Sequence, residues 1–139
     1  MNDPLLSIMR TASSGLQSQS MRLKIVSENL ANMDSTGLTP GAAPYQRKMV
    51  TFAQSLDEVT GAGTVTVDKI IRDQAPFKKE YAPNHPAADA QGYVKRPNVE
   101  MMIEMADMRE ASRSYEANLQ MVRQAREMTS MMVDLLKGS

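Results

Sequence analysis

The sequence predicts a mainly α fold: long N- and C-terminal helices pairing as an antiparallel coiled coil, with a small β-rich or extended segment between them. Three observations carry this. Apolar residues recur at alternating steps of four and three near both chain ends. Residues 38–97 hold six of the seven prolines and most of the β-branched alternation. No Pro or Gly interrupts residues 98–137. The expected division is 1–37, a helix with its exit motif; 38–97, the middle segment; and 98–139, the second helix, with both ends forming one inner helical domain.

The first helix opens at Asp3-Pro4, because Asp caps free N–H groups and Pro tolerates the first helical position. From there Leu5, Met9, Ala12, Leu16, Gln19, Leu23, Val26, Leu30 and Met33 make a heptad seam with one polar member. Gly15 is a weak spot in it. The polar run "SENLANMDSTG" (27–37) ends the helix, and Asn32 and Gly37 are expected to take left-handed backbone there.

In the middle, "YQRKMVTF" (45–52) and "GTVTVDKII" (63–71) read as short strands and "FKKEYAP" (77–83) as a third. "PNHPAADAQGY" (83–93) has turn composition. Asn98, after Pro97, is the expected N-cap of the second helix, and Gly138 its stop. That helix would be roughly 60 Å long. One seam runs Met101, Met105, Met108, Ser112, Tyr115, Leu119, Val122, Arg126, Thr129, Val133, Leu136. A second runs Ala117, Met121, Gln124, Met128, Met131, Leu135.

Two helices pairing through their first seams leave the second seam without a partner inside the chain. Exposed apolar surface costs about 25 cal/mol per Å² relative to burial, and large contiguous patches mark protein–protein contacts. Burial by other subunits is therefore expected. Methionine usage fits: eight of the 13 lie between Met101 and Met132, and the flexible thioether suits unlike neighbours. Before assembly, the terminal segments are expected to be largely disordered.

Composition narrows the function further. Lys plus Arg and Asp plus Glu are equal at 16 each, with no basic block, which argues against nucleic acid as the main partner. No cysteine means no disulfide or thiolate chemistry. No apolar run approaches the ~18–20 residues that span a bilayer, and no cleaved signal peptide is read at the N-terminus. An amphipathic membrane helix would want cations and aromatic anchors; residues 3–33 offer only Arg10, Arg22 and Lys24, and no aromatic. No direct membrane insertion is expected.

No catalytic, cofactor-binding or metal constellation stands out. His85 is the only histidine and reads as a turn residue, although Asp89 lies nearby in sequence. Phosphate-loop, dinucleotide, zincin and nucleophile-elbow motifs are absent. Glu100 and Glu104 share a helix face where they would offset the helix dipole. Asp107, Glu110 and the arginines read as a solvated or inter-subunit salt-bridge face. The residues alone thus leave two classes: an assembling structural subunit, or a soluble coiled-coil dimeric adaptor or chaperone.

"NLANMDSTG" resembles the signature after the N-terminal helix of bacterial flagellar rod, hook and hook-associated axial proteins, approximately N-x-A-N-x-x-T-x-G. Asn29, Ala31, Asn32 and Gly37 match, and Ser35 stands where Thr is usual. "LTPGAAP" (38–44) then precedes "YQRK", so the exit is longer than in the plainest members. Residues 80–118 are similar to the proximal-rod members of that family through D-P-x-H-P-x-A-x-x-x-G-Y-V-x-x-P-N-V, with Ala82 in place of Asp, and E-M-x-D-M-x-x-A-x-R-S-Y-x-A-N.

The resemblance implies a structural subunit of the periplasmic rod, exported by the flagellar type III apparatus without a cleaved signal peptide. It implies terminal helices lining a tube around the export channel, the middle segment further out, and torque transmission to the hook. Implied neighbours are copies of itself, FlgB, FlgF, FlgG and FliE. Leu16, Leu23, Val26 and Leu30 are expected to meet Tyr115, Leu119 and Val122. Met121, Met128, Met131 and Leu135 are expected to meet adjacent subunits. Asn29, with Asn32 and Gly37, is expected to fix the junction between inner helix and outer segment.

Overall fold

A computed structural model describes residues 4–138. Helix α1 spans Pro4–Ala31 and helix α2 spans Met101–Lys137. Between them lie strands β1 (Lys48–Leu56), β2 (Gly63–Arg72), β3 (Lys78–Tyr81) and β4 (Tyr93–Arg96). The 28 and 37 residues of the helices outweigh the strands, so the chain is mainly helical. Pro4 opens α1 as expected; Asp3 lies outside the described residues.

The paired positions of the two helices rise along α2 as they fall along α1. Asn29 meets Glu104, Arg22 meets Asp107 and Glu110, and Gly15 faces Asn118. The closest approach runs through small and polar residues at seven-residue spacing: Glu104, Ala111, Asn118 and Ala125 on α2, against Gly15, Arg22 and Asn29 on α1. Gly15 is not a weak spot. A Cβ there would come within 2.7 Å of the Asn118 side-chain amide, which rests against the bare backbone at that level.

β1 and β2 form an antiparallel hairpin from Lys48↔Arg72 to Leu56↔Gly63. The register shifts between Thr51 and Phe52, which leaves Asp68 as the extra residue of a β-bulge. The hairpin lies along α1. β3 and β4 form a second, short antiparallel pair, Lys78↔Arg96 to Tyr81↔Tyr93. All three expected strands thus form, and β4 emerges at the end of what reads as loop. The buried apolar residues are few and mostly small: Ala12, Ile25, Val26, Ala62, Ala87, Val94, Val99, Ala111 and Ala125.

Local expectations at both helix ends change. Asn98 does not cap α2. The N-cap is Glu100, without a side-chain cap bond, because the Asn98 amide is engaged elsewhere. Nor does α1 end in left-handed backbone: no described non-glycine residue has positive φ, and Gly37 is not among the glycines that do. Asn32 closes the helix by donating its side-chain amide to the Glu28 carbonyl at 2.8 Å. Gly37 is needed for space, since a Cβ would meet the Ala42 Cβ at 2.6 Å and its carbonyl oxygen at 2.7 Å.

Candidate assembly junction

Asn29 lies in the last turns of α1 and is 1% exposed. A side-chain amide has two acceptor lone pairs and two donors. All four are used. Oδ1 accepts from the Tyr45 hydroxyl at 2.8 Å and from the Lys48 backbone N–H at 3.0 Å. Nδ2 donates to the Lys48 carbonyl at 2.8 Å and to Glu104 Oε2 at 3.0 Å. One side chain therefore joins the first helix, the exit loop, the root of β1 and the first turn of α2.

Glu104 is fully buried. A buried carboxylate without partners is strongly disfavoured, so it has to be paired and hydrogen-bonded. Its second oxygen accepts a short bond from Arg47 Nε. Arg47 also reaches Asp73 at 3.3 Å and Asp107 at 3.5 Å. Burial acts to lower the Arg47 guanidinium, but the hydrogen bond and charge of Glu104, then those of Asp73, outweigh it and hold it above its usual value. Burial likewise raises the Tyr45 phenol.

Asn98 completes the frame from below. Its Oδ1 accepts from the Arg47 backbone N–H at 2.8 Å, and its Nδ2 donates to the Asp73 and Ala75 carbonyls. The Asp73 N–H in turn donates to the Arg47 carbonyl at 2.8 Å. On the surface, Lys48 pairs with Glu28 at 2.9 Å, and that bond draws the Glu28 carboxyl down and the Lys48 ammonium up. Lys78 pairs with Glu100 at 2.7 Å. Asp107 and Glu110, expected on a solvated or inter-subunit face, bridge within the chain to Arg22 at 3.1 and 3.2 Å.

The lengthened exit is also tied down. The Gly41 N–H donates to the Ala87 carbonyl, and Lys95 and Arg96 donate to the Gly41 and Asp34 carbonyls. "LTPGAAP" thus packs on the β3–β4 unit, with Leu38 left fully in solvent.

Of the other residues singled out from sequence, Val26 is buried, while Leu16, Leu23, Leu30, Tyr115, Leu119 and Val122 are half-buried. Met121, Met128, Met131 and Leu135 are exposed. Arg47, Tyr45, Lys48, Asp73, Asn98 and Glu104 were missed as junction residues. The signal available was the phase of Glu104: it stands seven residues before Ala111, and 21 before Ala125, on the stripe of small residues. Among the described residues no group of His, Asp and Glu is placed to hold a metal.

A stapled helix pair with its ends locked by a buried polar junction is a construction element, and comparison with known proteins says of what. Residues 9–39 match the family described as "Flagella basal body rod protein", and residues 90–135 match "Flagellar basal body rod FlgEFG protein C-terminal". These define the class, a structural subunit of the bacterial flagellar basal body. The chain is 57% identical over 137 residues to the flagellar basal-body rod protein FlgC of Agrobacterium fabrum, covering 99% of both. It is 44% identical to FlgC of Escherichia coli over 125 residues, 89% of this chain and 92% of that one. It is 37% identical to FlgC of Borreliella burgdorferi, covering 96% and 99%. The chain belongs to the FlgC family: it is a proximal-rod structural protein of the motility apparatus, not an enzyme, and it assembles with other rod proteins and with itself.

Proposed function

We propose that α1 and α2 pack as an antiparallel coiled coil in the wall of the rod, around the export channel, with residues 38–97 further out. The heptad spacing of Gly15, Arg22 and Asn29 and of Glu104, Ala111, Asn118 and Ala125 supports the supercoiled seam. The observation that carries the assembly reading is the far end of α2. With Gly15 level with Asn118, each step back along α1 is a step forward along α2, so Pro4 lies level with Thr129. About eight residues, some 12 Å of helix, extend past the described start of α1. From Arg126 onward every described residue is exposed, including Met128 at 51% and Met131 at 58%. Such a surface is stable only when covered.

On this reading Met121, Met128, Met131 and Leu135 meet neighbouring subunits: further copies, FlgB, FlgF, FlgG and FliE. The chain reaches the periplasmic rod through the flagellar type III export apparatus. The junction at Asn29 and Glu104 fixes the angle at which the outer segment leaves the shaft, and the stiff helix pair carries torque. Met128→Asp tests it. The exposed site predicts an unchanged melting temperature for the isolated chain, with export intact, but loss of assembled rods and of swimming. Normal swimming in that variant would overturn the assignment of this face.

A further inference from the structure

The hairpin is held on α1 in two unlike ways. Its root is fixed by Asn29, Asn98 and the Arg47–Glu104 pair, all in or beside the buried junction. Among the described residues, its tip is held by three polar contacts. Arg10 pairs with Asp57 at 2.6 Å, with side chains 41% and 20% exposed. Ser14 Oγ accepts from the Val65 N–H at 3.2 Å, and Ser18 Oγ donates to the Val65 carbonyl at 2.9 Å. Two serines one helical turn apart thus occupy the edge of β2 as a neighbouring strand would. Thr60 and Ala62 are buried in the turn, but the larger apolar side chains there pack thinly: Leu56 and Val59 are each 75% exposed, and Ala53, Val65 and Val67 only half-buried. The bulge at Asp68 separates the two regions, and bulges are where a ladder bends.

We infer that the hairpin is a strap with a fixed root and a releasable tip, pivoting at the bulge. The turn itself is independent of the docking. Asp57 Oδ1 accepts from the Val59 and Thr60 N–H groups and the Thr60 hydroxyl, and the Asp57 and Gly61 N–H groups donate to the Ala62 and Asp57 carbonyls. The tip therefore leaves α1 as an intact turn. The arm from Phe52 to Leu56 is about 17 Å long, enough to clear the helix and uncover Ser14 and Ser18.

Site-resolved amide exchange on the full chain tests this, with R10Q as the variant. The Val65 N–H reports docking, the Asp57 N–H the turn, and the Lys48 and Asp73 N–H groups the root. Exposed ion pairs are weak, so R10Q is expected to speed Val65 exchange by about three- to five-fold while the other three stay unchanged. In the unmodified chain, raising the salt should do the same in smaller measure. Val65 exchanging in step with Lys48 and Asp73 under both conditions, or unaffected by either, would overturn the strap.

Discussion

A single amide with four partners is a strong point and a vulnerable one. Removing one side of a buried hydrogen bond costs about 1–3 kcal/mol per group left unsatisfied. Asn29→Ala strands the Lys48 N–H and carbonyl and removes a donor from Glu104. It is expected to lower unfolding stability by about 3–4 kcal/mol, read from the urea midpoint. Breaking a buried ion pair from one side costs about 3–5 kcal/mol, so Glu104→Ala should cost at least as much. If either variant unfolds within about 1 kcal/mol of the parent chain, the junction is not buried as described. Asp57 makes the pH prediction. The Thr60 backbone N–H, then the Thr60 hydroxyl, then Arg10 hold its carboxyl down from 3.8 to about 2. A depressed folded pKa stabilises above the unfolded value and is lost as pH falls. The tip turn is therefore fully supported above pH 3.8 and loosens as pH falls from there towards about 2. Because Arg10 is the third cause, R10Q should raise the Asp57 pKa, followed by its carboxyl ¹³C shift, but leave it below 3.8. A return to 3.8 would mean the turn contributes nothing.

At the scale of elements, both helices and three of the four strands were legible from sequence pattern, and the reasons for the misses are physical. The heptad reading followed large apolar residues, but helices approach closest where side chains are smallest. Gly15, Ala111 and Ala125 therefore mark the closest approach, while the half-buried Leu16 and Tyr115 line one shared cavity. Asn98 has the composition of an N-cap, yet three long-range bonds outcompete the local one, and no single-segment pattern shows their partners. Glu104 looks like any acidic residue near a helix start; only the fold brings Arg47 to it. The two glycines make a paired prediction. Gly37→Ala meets backbone and a fixed methyl, so it should destabilise by about 1–3 kcal/mol. Gly15→Ala meets the end of a flexible Asn118 side chain and gains nearly 1 kcal/mol of helix propensity, so the terms largely cancel. Thermal melts of the two variants should separate clearly, with Gly37→Ala the lower. Equal melting temperatures would show that the exit loop is not packed against Gly37.

For the whole molecule, the division of labour follows the length mismatch of the helices. Up to Ala125, α2 is partly buried: it meets Asn29, Arg22 and the Gly15 notch on one side, and the hairpin root at its first turn. Beyond Ala125 it is exposed on all sides. Helical segments draw most of their stability from packing, so a stretch of twelve exposed residues is marginal alone. The sequence-based expectation of broadly disordered ends therefore narrows to residues 126–137. In the isolated chain, amides of 104–125 should be protected by a large part of the global stability, and those of 126–137 should exchange with little protection. On incorporation into rods the second set should become protected and the first should change little. The measurement is hydrogen exchange on a monodisperse monomer and on assembled rods. Full protection of 126–137 in the monomer would mean that α2 is finished before assembly, leaving its exposed methionines without a packing role. Equal exchange in both states would mean that neighbouring subunits bind elsewhere on the chain.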